Sequence, residues 1–205
     1  MKKPSKTALF AAAKTWNTMA IRELLAVAPG LIAAQDPRGR NALHLACSVK
    51  PGTPGTLEAN GIATVKALLA AGSDPFDHVA VEGGAFRATP VWYAVAHGDN
   101  LPLVRMLLKR GANVDNCLFA ATWNDNAPML RELLKSATTI DAPQEGAPVL
   151  IAAIRWRKLA ALQVLMNAGA DVSCRDANGH DALFHARARK LPDAVIARLE
   201  ALRPR

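Results

Sequence analysis

"GDNLPLVRMLLKRG" (residues 98–111) returns 26 residues later as "NDNAPMLRELLKSA" (residues 124–137). The two lines share Asp99 and Asp125, Asn100 and Asn126, Pro102 and Pro128, and Arg105 and Arg131. They also share the Leu-Leu-Lys triplets 107–109 and 133–135. Self-similarity at a short period signals a repeat architecture, in which stacked copies bury a core that no single copy can bury alone. Leu103, Val104, Leu107 and Leu108 recur at helical spacing, so the phrase predicts a helix, with Leu107 and Leu108 in the core. Gly111 is placed to end it. Upstream, "ATPVWYAVAHG" (88–98) predicts a shorter helix opened by Thr89-Pro90, where the missing proline N–H is not needed.

Composition supports this reading. The 205 residues are 51% hydrophobic but only 5% aromatic, and alanine and leucine, both good helix formers, dominate. No apolar run reaches the roughly 18 residues of a membrane span. The N-terminal apolar stretch, Ala8 to Ala13, is cut off by Lys14, too short for a signal-peptide core. The expectation is therefore an unprocessed, cytoplasmic chain with no membrane contact. Three cysteines without a CxxC pair argue against a disulfide framework or zinc ribbon. A net charge of +8 favours encounter with acidic partners.

The phrase "TPVWYAVAHG…LVRMLLKRGANVD" resembles the ankyrin repeat. Further copies fall in step: "NALHLAC" with "VKALLAAGSDP", "APVLIAA" with "LQVLMNAGADV", and "LFAA" with "IRELL" at 9–25, recurring as "LFAA" with "LRELL" at 118–134. "DANGHDALFHARA" opens the last copy. The resemblance implies one all-α ankyrin-repeat solenoid over residues 1–205, with units near 5–35, 36–75, 76–115, 116–141, 142–172 and 173–205. The 26-residue spacing marks a missing finger between the third and fourth units, against a usual period of about 33. "KPGTPGTLEAN" (50–60) is inserted into the second unit and "FDHVAVEGGAFRA" (76–88) enlarges the next finger. The insert lacks Gly-Lys-Ser/Thr, so it is no phosphate loop; a dispensable surface loop is expected. The register of the fourth unit is open by one residue. Alignment on the first unit makes Leu118 the core leucine, and alignment on the third makes it Cys117; the first keeps the "LFAA" to "RELL" spacing.

Such arrays use a concave face made by the first helices and fingers. Three positions per first helix share the outward stripe: Leu45, Ser48 and Val49; Tyr93, Ala96 and His97; Ala120, Trp123 and Asn124; Ile151, Ile154 and Arg155; His185, Ala188 and Arg189. The expected contact residues are Tyr93, His97, Trp123, Asn124, Ile151, Ile154, Arg155 and Arg189, aromatic anchors flanked by arginine. His44 occupies the motif's histidine position and is expected to bond a neighbouring finger; Trp16 and Trp156 stand where the motif has glycine. His180 and His185, five apart across a turn, make a poor ligand pair, so no metal is expected. HExxH, GxSxG and GxGxxG are absent, and neither catalysis nor a cofactor is expected. The expected function is a monomeric, non-catalytic binder of an acidic protein surface, acting as an inhibitor, adaptor or toxin-immunity protein. A nucleic-acid-associated basic protein and a secreted effector are the alternatives. Nucleic acid is the weaker reading, because Arg22, Lys66, Arg105, Lys109, Arg131 and Lys135 lie on second helices, away from the concave face.

Overall fold

The computed structural model describes residues 4–80, 86–114, 116–144 and 146–203. They form two compact units, residues 1–112 and 113–205. In the first, α1 (Lys6–Lys14) pairs with α2 (Thr18–Val27), α3 (Ala42–Cys47) with α4 (Ile62–Ala70), and α5 (Pro90–Ala96) with α6 (Leu101–Leu108). First helices stack on first helices, α1 on α3 on α5, and second helices on second, α2 on α4 on α6. The second unit repeats the pattern with α7 (Cys117–Trp123) and α8 (Ala127–Leu134), α9 (Val149–Arg155) and α10 (Leu159–Asn167), and α11 (Ala182–Ala188) and α12 (Asp193–Ala201). Among the described residues the strands are two-residue segments, β1 (Val79–Ala80) and β2 (Arg87–Ala88), paired antiparallel in the enlarged finger; residues 81–85 of that finger lie outside the described residues.

One local device recurs in five of the helix pairs. Trp16, Asp99, Asp125, Arg157 and Lys190 all turn the chain with φ between 45° and 56°. The residue after each, Asn17, Asn100, Asn126, Lys158 and Leu191, donates its N–H to the carbonyl of Ala12, Ala94, Ala121, Ala153 and Ala186 at 2.8–3.1 Å. This explains the repeated Asp-Asn of the doubled phrase. Aspartate tolerates left-handed backbone better than most residues. The asparagine then caps the second helix: Asn100 Oδ1 accepts the Leu103 N–H at 3.2 Å, and Asn126 Oδ1 accepts the Met129 N–H at 2.9 Å.

The same alanines fix the register of the core. Three residues before each, and before the matching Ala46, stand Leu9, Leu43, Val91, Leu118, Leu150 and Leu183, all buried. Leu118 is therefore the core leucine of the fourth unit. On second helices the buried set is Leu103, Val104 and Leu107, and Met129, Leu130 and Leu133. Leu108 is only half-buried, contrary to expectation, and Met106 shares the core in its place.

The insert departs from expectation more sharply. Residues 52–55 are exposed, but the segment after them is fastened to the body. Leu57 donates its N–H to Thr15 at 2.9 Å, and the Asn60 carbonyl accepts from Asn100 Nδ2 at 2.9 Å. The Glu58 carboxylate accepts from the hydroxyls of Thr18 and Thr64. Its second half is thus part of the fold and not a dispensable loop.

Candidate functional site

Counted from the core leucine, the outward stripe falls at the second, fifth and sixth residues. Applied to Leu150, the count gives Ala152, Arg155 and Trp156, whereas the sequence reading placed Ile151 and Ile154 there. The structure corrects that slip: Ile151 and Ile154 are fully buried, and Arg155 is exposed. One residue turns a helix by about 100°, enough to carry a side chain from the surface to the core. Tyr93 is corrected as well. It is buried between His44, Trp92 and His97, with ring centroids at 5.5, 5.3 and 5.6 Å. That burial raises the pKa of its hydroxyl. His44 bonds its neighbouring finger as expected, with Nε2 3.2 Å from the Asp77 carbonyl oxygen.

His97, Trp123, Asn124, Arg155 and Arg189 are exposed. His97 belongs to the first unit and the other four to the second. Trp123 closes α7 with 57% of its surface exposed. Its ring meets that of Trp156 edge to face at 5.0 Å, and Trp156 in turn meets Phe119 at 6.3 Å. Lys158 Nζ stands 5.4 Å from the Trp123 ring centroid, within cation–π range. The Asp125 carboxylate accepts the Ala161 N–H at 2.9 Å, tying the turn after Trp123 to the start of α10. Phe119, Gln144, Ala147, Ala152, Arg155 and Trp156 line a recess of about 70 Å³. Arg157 donates to the Arg189 carbonyl oxygen and so joins the fifth and sixth units. The sequence reading missed Trp156, Phe119 and Lys158. The signal was available, because the count that placed Trp123 also places Trp156.

At the start of the last unit, the Asp176 carboxylate accepts the N–H groups of Asn178 at 2.9 Å and His180 at 3.0 Å, and its other oxygen lies 2.9 Å from His185 Nε2. Burial opposes ionisation of this carboxyl, but the bonds from His180, His185 and Asn178 outweigh it and hold the pKa below the usual value. One ligand atom from each of Asp176, His180 and His185 lies within 4.8 Å of the others. The five-residue spacing therefore does not keep the two imidazoles apart, as it was expected to.

Residues 87–117 match the ankyrin repeat family model. Solved structures extend the likeness along the chain. An ankyrin repeat domain from Acinetobacter baumannii superposes with a TM-score of 0.74 at 24% identity, covering 97% of this chain and 98% of that one. The fold is that of an ankyrin-repeat domain. A chain from the complex of the predatory endopeptidase Bd0816 of Bdellovibrio bacteriovorus with the immunity protein Bd3460 gives 0.74 at 24% identity, covering 97% and 99%. The human ASB11 ankyrin repeat domain gives 0.62 at 21%, covering 96% and 98%. No curated protein sequence matches the chain significantly. No helix among the described residues is long and apolar enough to cross a membrane.

Proposed function

We propose that this ankyrin-repeat chain is a non-catalytic binder of another protein, and that it grips an acidic surface through Trp123, Trp156, Lys158 and Arg155. The observation that carries the reading is the exposure of Trp123. A chain with few aromatic residues spends its most exposed tryptophan on the first-helix face, braces it on a second tryptophan and sets a lysine beside it. Tryptophan and arginine are the side chains that interfaces use most as energetic anchors. The bracing matters because a ring already held in place loses little freedom when it is covered. Cations around the ring select an acidic partner and repel a basic one. We further propose the role of an inhibitor of the immunity type, which one similar solved structure supports: a chain from a complex of an endopeptidase with an immunity protein.

The test is capture of partners from the native host by the tagged chain, repeated with a Trp123→Ala, Arg155→Ala double variant whose helical circular dichroism is unchanged. A specific protein should be retained by the parent and lost by the variant. Equal retention would discard this patch, and capture of nucleic acid alone would discard the protein-binding reading.

A further inference from the structure

Two turns in the chain share one construction. In "DPRGRN" (36–41) Asp36 Oδ1 accepts the N–H groups of Arg38 and Arg40, each at 2.9 Å. In "DANGHD" (176–181) Asp176 Oδ1 accepts those of Asn178 and His180. The turns differ in what meets the second carboxylate oxygen. At Asp36 it is a permanent cation, the Arg40 guanidinium, with Nε at 2.9 Å. At Asp176 no arginine among the described residues takes that place; the second oxygen faces His185 Nε2 at 2.9 Å, and His180 Nδ1 lies 3.9 Å from the first oxygen. Two imidazoles and one carboxylate take the place of an ion pair.

We propose that Asp176, His180 and His185 form a binding site for one divalent d-block ion of the zinc type. Oxygen and imidazole nitrogen bind zinc at about 2.0–2.2 Å in a tetrahedron, which separates neighbouring ligand atoms by roughly 3.3 Å. His185 Nε2 stands 2.9 Å from Oδ2, His180 Nδ1 stands 3.9 Å from the other carboxylate oxygen, and one ligand atom from each residue lies within 4.8 Å of the others. Insertion of the ion therefore asks for side-chain adjustment, not a refolded turn. The ligands are also held ready. Asp176 is nearly covered and fixed by two backbone N–H groups, so its second oxygen is aimed. His180 stacks on Phe184 at 3.9 Å with the planes 7° apart, which sets the tilt of its ring. A purely structural aspartate–histidine bond needs the His185 imidazole alone. Zinc fits the donor set: imidazole suits d-block ions, whereas calcium and magnesium take oxygen ligands. Three protein ligands leave a fourth position, and the half-exposed His180 side chain puts it within reach of solvent or of a donor from another molecule. The site stands independently of the tryptophan patch.

The experiment titrates the metal-free full chain with Zn²⁺ by calorimetry, with Co²⁺ as a spectroscopic stand-in. One ion per chain should bind, Zn²⁺ should raise Tm, and Co²⁺ should give the visible d–d bands of a low-coordinate nitrogen–oxygen site. His180→Ala alters the more exposed ligand, so the metal-free fold should persist. It should weaken Zn²⁺ binding by at least about tenfold, the loss that follows even when an outer partner of a ligand is removed. His97→Ala, in the other unit, should leave binding unchanged. Absence of stoichiometric binding, unaltered affinity in His180→Ala, or a sulfur-to-cobalt charge-transfer band reporting Cys174 would each overturn the site.

Discussion

Trp16 donates its indole N–H to the carbonyl of Ala46 across 2.9 Å, 30 residues along the chain. In the other five helix pairs the matching alanine carbonyl accepts a backbone N–H from the turn that follows. In the second pair the chain leaves α3 for the insert, and the indole of the preceding unit supplies a donor. Gly61 completes the arrangement. A Cβ there would stand 2.4 Å from the Trp16 ring, and its φ of +66° favours glycine independently. Trp16→Phe should therefore cost at least about 2 kcal/mol, through an unpaired buried carbonyl and a cavity. Gly61→Ala should cost more than about 1 kcal/mol. Urea titrations monitored by circular dichroism measure both; a wild-type midpoint for Trp16→Phe would show that the bond carries nothing.

The insert should divide into two halves with opposite tolerance. Residues 52–55 are exposed, and replacing them with a glycine–serine link should leave Tm nearly unchanged. Glu58→Ala should lower stability by about 1.5–3 kcal/mol, because it strips a charged partner from the hydroxyls of half-buried Thr18 and buried Thr64. Equal tolerance of both changes would contradict the bonding described.

His44 should make stability sensitive to pH. Burial is the largest influence on it and lowers its pKa below the ordinary 6.5, against the opposing pull of Asp77. Between the folded value and 6.5 the unfolded chain carries a proton that the folded chain lacks. Stability is then complete above 6.5, falls as pH drops toward the folded value, and stays level below it. Asp36, Asp171 and Asp176, whose pKa values are lowered, act in a separate window: their contribution is present above the ordinary 3.8 and is lost as pH falls through their folded values. Thermal melts from pH 7.5 to 5.0 should show a falling Tm that flattens in His44→Gln. An unchanged slope in that variant would assign the effect elsewhere.

The repeat, its helices and its core leucines are legible in the sequence because each copy restates them. Leu107 and Leu133 could be read off two lines of text. What is not restated is harder to read. Trp16 replaces a glycine once, and its partner Ala46 is visible only when the units are stacked. The fifth stripe is off by one residue, since "PVLIAAIR" offers Val149 and Leu150 as equally apolar anchors, both fully buried, and only the bond from the Lys158 N–H to the Ala153 carbonyl marks Leu150 as the counterpart of Leu118. The Asp176 cluster was missed because linear spacing says little about a turn that folds His180 back toward His185.

The proposed binding patch makes a kinetic prediction that separates its parts. Trp123 is the candidate anchor, and its contact forms only once the partner is docked. Trp123→Ala should leave the on-rate close to that of the parent and raise the off-rate, costing about 2 kcal/mol or more. Arg189 is exposed at the end of α11, and its charge acts before contact. Arg189→Glu should chiefly lower the on-rate, and added salt should slow the parent in the same way, because screening shortens the reach of the charge to about 10 Å at 0.1 M. The partner is the protein captured with the parent chain, and surface plasmon resonance at two ionic strengths reads both rates. If Trp123→Ala slows association while dissociation stays put, the ring works in encounter and not as an anchor. If Arg189→Glu changes neither rate, attraction by the sixth unit is not part of binding, and the charged contacts reduce to Arg155 and Lys158.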